Sequence, residues 1–212
     1  GWKISHFIPD CKQLDATDES DLEKATSLVK RLHHSEAKLS LRFDFFEKSI
    51  EYTNLMAPEE LNDIPAFRSI EAKIAELHKL FESDDVGFTC LCHNDFFPLN
   101  LLKNKDGDLS LIDWEYAGMA DYSQDIGTFI VCSELDDNSA DNLISYYCDE
   151  IPSKRKMGHF YASTAFAGWC WYVWSLYKES QGESVGEWVY VYYRYAKKYL
   201  EKAFDCYKTN AD

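Results

Sequence analysis

Three polar residue types stand in the central part of the chain at a spacing that could support phosphoryl transfer. Asp95 follows His93 in the pattern His-x-Asp, Asn100 comes after four further residues, and Asp113 closes the next apolar run. In such a loop one aspartate orients and deprotonates the attacking hydroxyl, while the asparagine and a second aspartate bind magnesium. The spacing therefore predicts Asp95 as the catalytic base, with Asn100 and Asp113 as ligands of Mg²⁺ and ATP as co-substrate.

The same residues have plainer interpretations. His93, Asn94 and Asp95 could form a polar turn between two strands, and Asp113 could be an ordinary aspartate at a strand end. A histidine and an aspartate alone would not decide between these alternatives. The complete set, with each member at the edge of an apolar strand, favours the phosphoryl-transfer loop.

Composition bounds the class of protein. The chain has 212 residues, of which 46% are hydrophobic and 16% aromatic, enough for one substantial core. The net charge of −15 argues against nucleic acid and anionic membrane surfaces as partners, and it suits a cationic substrate. The 7 cysteines are scattered, and Cys90-x-Cys92 lacks a second ligand pair, so we expect reduced thiols, no zinc site and a cytoplasmic protein.

Hydrophobic periodicity predicts a mainly helical domain with a small sheet or hairpin, an α+β fold without membrane insertion. The apolar run from Ala165 to Leu176 is too short to span a bilayer. His33 and His34 fall where the first helix should end, which favours a helix-end role over metal binding. Helices are predicted over residues 18–35, 43–55, 65–81, 121–134, 138–150, 153–179 and 186–208, and strands over 88–91, 99–102 and 109–112.

Taken together, these residues resemble bacterial choline and ethanolamine kinases of the aminoglycoside-phosphotransferase-like superfamily. The segments that carry the resemblance are His93-Asn94-Asp95 with Asn100, Ile112 to Met119, Asp125-Ile126, and Trp171-Tyr172-Val173-Trp174-Ser175. The resemblance is to the C-terminal, larger lobe of a protein-kinase-like fold. It implies that residues 1–9 are a hinge segment from a missing N-terminal lobe and that residues 10–212 form the catalytic and choline-binding lobe. Such a chain is expected to be inactive alone.

The resemblance also implies roles for residues outside the loop. Trp171 and Trp174 match the family's choline-binding tryptophans, and aromatic faces suit a quaternary ammonium because it has no N–H to donate. Without that match, the two tryptophans would be assigned to the core. Tyr190 is expected to add a further wall. Glu115 is implied as a second acidic group at the metal or the substrate, with a solvated loop residue as the alternative.

Two more residues, His93 and Asp125, are expected to support the loop without touching the substrate. The function implied is ATP-dependent phosphorylation of choline to phosphocholine. Two alternatives stay open: a kinase for ethanolamine or another small amino alcohol, and a truncated chain that acts only as a choline-binding or interaction module.

Overall fold

The computed structural model describes residues 7–208 of the chain. Most of the predicted hinge segment, residues 1–6, lies outside the described residues. The elements in chain order are β1 (Lys12–Gln13), α1 (Glu19–His33), α2 (Phe45–Asn54), α3 (Pro58–Asn62), α4 (Phe67–Glu82), β2 (Thr89–Cys92), a 3-10 turn (Pro98–Asn100), β3 (Leu101–Lys103), β4 (Leu109–Leu111), β5 (Gly118–Asp121), α5 (Ser123–Cys132), α6 (Asp137–Cys148), α7 (Lys154–Ser180) and α8 (Trp188–Lys208). The fold is therefore mainly helical with small sheets, as predicted.

Polar residues fix where several helices begin. The carboxylate of Asp18 accepts a hydrogen bond from the amide of Asp21 at 3.0 Å, and Asp44 accepts one from Glu47 at 2.9 Å. Ser153 caps α7 in the same way. Each cap satisfies an amide that the first turn leaves without a partner, which explains why these helices start one residue after the caps.

Helix α7 is the centre of the core. Every residue from 158 to 173 is buried, and the helix packs against α2, α5 and α8. Glycines allow the closest approaches: a Cβ on Gly127 would lie 2.8 Å from the backbone of Ser163, and one on Gly168 would lie 2.8 Å from the amide nitrogen of Ala196. Substituting either glycine by alanine would force helices apart. No helix in the described range is long and apolar enough to cross a membrane.

Two small antiparallel sheets position the loops that carry the candidate site. Strands β1, β3 and β4 form one sheet, and β2 and β5 form the other. Leu101 pairs with Leu111 across β3 and β4, while Cys92 pairs with Gly118 across β2 and β5. The loop after β2 therefore leaves the second sheet and enters the first, and the loop after β4 returns in the opposite direction. This topology brings the two loops side by side.

The strand predicted over residues 99–102 begins later than expected. Leu99 and Asn100 belong to the 3-10 turn, and the strand starts at Leu101. The amide of Asn100 donates to the carbonyl of Phe97 at 3.0 Å, which closes the turn, and Pro98 at its first position favours such a turn because its φ is fixed. Strand β5 and the short helix α3 were not predicted.

Candidate active site

A buried carboxylate holds the loop that contains Asp95. Asp125 lies in the first turn of α5 and is fully buried. Its Oδ2 accepts a hydrogen bond from the amide of His93 at 2.9 Å, and its Oδ1 accepts one from the amide of Asn94 at 2.6 Å. Charge-assisted bonds to backbone amides fix the path of the chain immediately before Asp95.

Side chains of the same loop reach across to the loop that contains Asp113. The Nε2 of His93 donates to the carbonyl of Ile112 at 2.9 Å, and the side-chain Nδ2 of Asn94 donates to the carbonyl of Tyr116 at 3.0 Å. Asn94 and Asp113 both have left-handed backbones, with φ of 63° and 65°. Non-glycine residues adopt this conformation at a cost, so the cross-loop bonds hold the backbone where it would otherwise relax.

Asp95 and Asn100 form a directly bonded pair. The side-chain Nδ2 of Asn100 donates to Oδ2 of Asp95 and to the backbone carbonyl of Asp95, both at 2.8 Å. The 3-10 turn that contains Asn100 makes this return contact possible over so few residues. Asn100 is 7% exposed, whereas Asp95 is partly accessible to solvent. The bond fixes the direction of the Asp95 carboxylate, and it uses the side-chain nitrogen of Asn100, so the side-chain oxygen is the atom of Asn100 that could bind a metal.

Two neighbouring carboxylates act on Asp95. Burial raises the pKa of Asp95 above its ordinary value; the hydrogen bond from Asn100 and the nearby His93 oppose this rise, and the charges of Asp113 and Glu115 add to it. The two neighbouring charges therefore raise the cost of ionising Asp95. A bound divalent cation would relieve that repulsion. Together with Asn100, the acidic groups supply the hard oxygen atoms that Mg²⁺ prefers, so the residues fit the predicted metal.

A second group of possible metal ligands lies beneath the loop. His33 joins Cys90 and Cys92, and the ligand atoms of the three lie within 4.8 Å of one another. Both ring nitrogens of His33 are hydrogen-bonded, however, and burial raises the pKa of the Cys92 thiol. Because the thiolate is the metal-binding form, we read this cluster as part of the packing that supports the loop.

Aromatic rings adjoin the acidic groups. The ring of Trp171 makes edge contacts with Phe45, Tyr116 and Trp174, with centroids 6.0, 5.5 and 5.8 Å away. Burial raises the pKa of Tyr116, and the charges of Glu115 and Asp95 contribute to the rise. Tyr116 therefore belongs to both the aromatic and the acidic part of the site, a role that was not predicted although it lies in the recognised segment.

The tryptophans differ in accessibility. Trp171 is 6% exposed and Trp174 is half-buried, with the ammonium of Lys178 6.0 Å from the centroid of the Trp174 ring. The structure thus places the two rings together, and the more accessible one already has a cation near its face. Glu115, on the adjoining loop, is exposed.

The structure does not place Tyr190 against these rings. Its side chain is 66% exposed, and it makes no ring contact with either tryptophan within the described part of the chain. Tyr192 is the tyrosine of α8 nearer the loop: burial raises its pKa, and Cys132 and Asp95 add to the rise. Helical spacing could have indicated this, because Tyr192 shares a face with the buried Tyr195 and Tyr199.

Residues 7–160 match the model of the phosphotransferase enzyme family. The chain belongs to this family. Protein LicA of Haemophilus influenzae is 28% identical to this phosphotransferase over 221 aligned residues, which cover 96% of the chain and 76% of the relative. The crystal structure of choline kinase LicA from Streptococcus pneumoniae superposes with a TM-score of 0.77 at 26% identity, covering 92% of this chain and 68% of that one. A LicA structure in complex with AMP gives a TM-score of 0.77 at 27% identity, covering 93% and 68%.

Proposed function

We propose that this phosphotransferase domain serves the ATP-dependent phosphorylation of choline to phosphocholine. The observation that carries the proposal is Tyr116, which joins the ring of Trp171 to the electrostatic field of Asp95 and Glu115. If the rings bind the trimethylammonium group of choline, the hydroxyl group of choline would therefore lie near the carboxylates. The likeness to LicA proteins, one of them named as a choline kinase, supports the same substrate.

Asp95 acts as the base in this proposal. Its carboxylate accepts the proton of the choline hydroxyl while the bond from Asn100 fixes its direction, so that the oxygen attacks in line with the leaving group. The raised pKa of Asp95 makes it a better proton acceptor than an ordinary surface aspartate, provided that it remains ionised at the working pH.

Asn100 and Asp113 would hold Mg²⁺ with ATP as co-substrate. When bound, the metal neutralises charge on the transferring phosphate. The chain's own contribution is to keep the two oxygen donors in place. Asn100 is held by its bonds to Asp95, and the segment containing Asp113 is held by the cross-loop bonds to Ile112 and Tyr116. The related LicA structure in complex with AMP supports the proposal that a nucleotide binds to this phosphotransferase.

Trp171 and Trp174 hold the trimethylammonium group in this proposal, with Glu115 supplying a compensating charge. Tyr190 is the residue that the sequence proposes as a further wall of the choline site. Tyr192 is the stronger candidate for that wall, because it is packed close enough to Asp95 for the charge of Asp95 to act on it. A kinase for ethanolamine or another amino alcohol is the second candidate, because the Glu115 carboxylate could accept hydrogen bonds from a primary ammonium. A module that only binds choline is the third.

We further propose that residues 10–212 form the larger lobe of a two-lobed kinase and that the protein lies in the cytoplasm. The chain contains no G-x-G-x-x-G or P-loop pattern that could cover the nucleotide phosphates. On this proposal the 212-residue chain alone transfers phosphate far more slowly than the roughly 1–100 per second typical of kinases. Turnover within that range would remove this part of the proposal.

Tryptophan fluorescence of the 212-residue chain tests the substrate directly. Choline should change the emission in a saturable way, and tetramethylammonium should do so more weakly, because it keeps the cation but lacks the hydroxyl arm. Trp174→Leu is the matched variant in which the change should shrink. A saturable response to ethanolamine with none to choline would favour the second candidate and contradict the first.

A further inference from the structure

A buried chain of hydrogen bonds lies behind the loop that contains Asp95. Besides the amides of His93 and Asn94, the carboxylate of Asp125 meets Nε2 of His33 at 2.9 Å. The other ring nitrogen of His33 lies 2.8 Å from the hydroxyl of Tyr147. His33 and Asp125 have no exposed side-chain surface, and they lie 92 residues apart in the chain.

The partners of His33 favour one tautomer. The carboxylate of Asp125 accepts hydrogen bonds, so Nε2 of the imidazole carries the hydrogen that faces it. Nδ1 of the neutral ring is then the acceptor, and the phenol of Tyr147, whose pKa is raised by burial, can donate to it. Tyr147 lies on α6 and His33 is the last residue of α1, so these bonds link the carboxylate to two helices that carry none of the residues assigned above to the site.

The carboxylate of Asp125 has to satisfy two needs at once. Each oxygen must point at a different backbone amide, and this orientation fixes Asn94 in its left-handed conformation directly before Asp95. A buried carboxylate with only two donors could rotate or draw in water. The third donor, from His33, restrains that rotation through Oδ2.

We propose that His33 is a positioning residue for the site. Its imidazole holds the carboxylate of Asp125, which in turn holds the backbone amides of His93 and Asn94. The hydrogen bond from Tyr147 stabilises the tautomer of the imidazole that donates to Asp125. The effect on catalysis rests on the proposed role of Asp95. The effect on the loop does not, because it follows from the hydrogen bonds alone.

Amide hydrogen exchange at His93 and Asn94, resolved by NMR on the 212-residue chain, tests the inference without any activity. His33→Gln places a side-chain N–H near the position of Nε2, whereas His33→Asn reaches only the position of Nδ1. We expect exchange at the two amides to accelerate roughly 10- to 100-fold in His33→Asn, the range for losing a bond to a charged group, and to stay close to the unsubstituted rate in His33→Gln.

Exchange at Leu101, whose amide donates to the carbonyl of Pro98, and at Ile112, whose amide donates to the carbonyl of Asn100 at 3.0 Å, provides the internal reference for global destabilisation. The milder variant Tyr147→Phe keeps the ring and removes only the hydroxyl, so it should accelerate exchange at the two loop amides by a smaller factor. Equal acceleration in His33→Gln and His33→Asn, or an unchanged ratio to the reference amides in His33→Asn, would show that the imidazole only fills space.

The kinetic consequence is measured in the protein expressed from its full gene. His33→Asn should lower kcat with little change in KM for choline, and His33→Gln should recover most of it. If the loop amides respond as expected but choline is not phosphorylated by any variant, the proposed function fails and the positioning role stands. If choline is phosphorylated and His33→Asn matches the unsubstituted protein in kcat, the positioning role fails.

Discussion

Asp95, Asn100 and Asp113 lie on loops whose shape is set by hydrogen bonds at 2.6 to 3.0 Å, whereas Trp171 and Trp174 project from the buried helix α7 and are held by ring contacts. The loops contain left-handed residues and need each bond to keep them. The helix would be in place without any contact to substrate. The two halves of the site should therefore respond differently to substitution.

On the polar half, replacing a single atom should matter, because directional bonds and charge carry the proposed chemistry. On the aromatic half, the shape of the side chain and its ring should matter more than any one atom, because dispersion and the ring quadrupole act over many contacts. The predictions below test this contrast from the largest expected effect to the smallest.

The largest effect is expected for Asp95→Asn, which exchanges one oxygen for nitrogen. In the protein expressed from its full gene, kcat should fall by at least about a hundredfold while choline affinity stays nearly unchanged, as for the loss of a general base. Steady-state kinetics measure both. The control is Asp106→Asn in the exposed β3–β4 turn, which should leave both values unaltered. Near-normal kcat in Asp95→Asn would refute the assignment of the base.

Asp113→Asn should also lower activity strongly, but through the metal. Because an amide oxygen is a weaker ligand than a carboxylate, part of the lost rate should return as Mg²⁺ is raised. Titrating Mg²⁺ in both Asp113→Asn and Asp95→Asn separates the two roles, since the base variant should not recover. Recovery of both variants, or of neither, would undermine the division of labour between the two aspartates.

The two loops show how far spacing can predict a site. Short loops hold their residues at fixed offsets, so His93, Asp95, Asn100 and Asp113 could be selected from spacing, and the structure brings Asp95 and Asn100 into direct contact. Their roles as base and metal ligands stay predictions. The helices were predicted for a similar local reason: caps such as Asp18 and apolar periodicity act within one element. Strand β5 was missed because it is short, contains a glycine and is defined by pairing with the distant β2.

The contacts that the sequence left hidden join residues far apart in the chain. His33 on α1 and Asp125 on α5 are 92 residues apart and meet only through tertiary packing, and nothing in the sequence around a histidine at a helix end indicates such a partner. Tyr190 was selected from the family resemblance, whereas the structure buries Tyr192, which raises its pKa, and brings it close enough to Asp95 for the charge of Asp95 to add to the rise. Aromatic residues are abundant in this region, so neither residue type nor offset separates a wall of the site from the core.

Trp174 allows a matched test of the aromatic half. Trp174→Phe keeps a weaker quadrupole and Trp174→Leu keeps only apolar bulk, so choline affinity should fall in the order Trp, Phe, Leu. A cation–π contact is worth about 0.5–2 kcal/mol, which corresponds to a loss of roughly 2- to 30-fold. Calorimetric titration with choline measures it. Variants that lose thermal stability but retain affinity would place Trp174 in the core alone.

A second pair of variants separates the two tyrosines of α8. Tyr192→Phe removes a hydroxyl that is hydrogen-bonded to Cys132 and close to Asp95, and it should raise KM for choline severalfold. Tyr190→Phe, at the exposed position, should change KM little. The opposite result would restore Tyr190 as the wall that the sequence analysis proposed.

The smallest effects concern stability, where the same substitution should act in opposite directions at two carboxylates. The pKa of Asp95 is raised from its ordinary value of 3.8, so the native state binds more protons above that pH and ionised Asp95 opposes folding at neutral pH. Asp95→Asn should therefore raise the unfolding temperature at pH 7. Thermal unfolding of the 212-residue chain followed by circular dichroism measures the shift.

Asp84 provides the contrast. Although burial opposes it, the imidazole of His159 3.4 Å away and the hydrogen bonds from Arg155 and Tyr207 lower the pKa of Asp84 below 3.8. The stabilisation by Asp84 is therefore present above that value and is lost as the pH falls. Asp84→Asn should lower the unfolding temperature at pH 7, and the difference from the unsubstituted chain should narrow in acid. Shifts of the same sign for Asp84→Asn and Asp95→Asn would contradict the electrostatic description of the site.

The most direct test of the central claim is phosphorus NMR of the protein expressed from its full gene, incubated with ATP, Mg²⁺ and equal concentrations of choline and ethanolamine. Our account predicts that phosphocholine accumulates first and that Asp95→Asn abolishes its signal over the same time. Trp174→Leu should shift the product ratio towards phosphoethanolamine, because it removes the ring that selects the quaternary cation. Preferential formation of phosphoethanolamine by the unsubstituted protein, or no phosphorylated amino alcohol at all, would contradict the account.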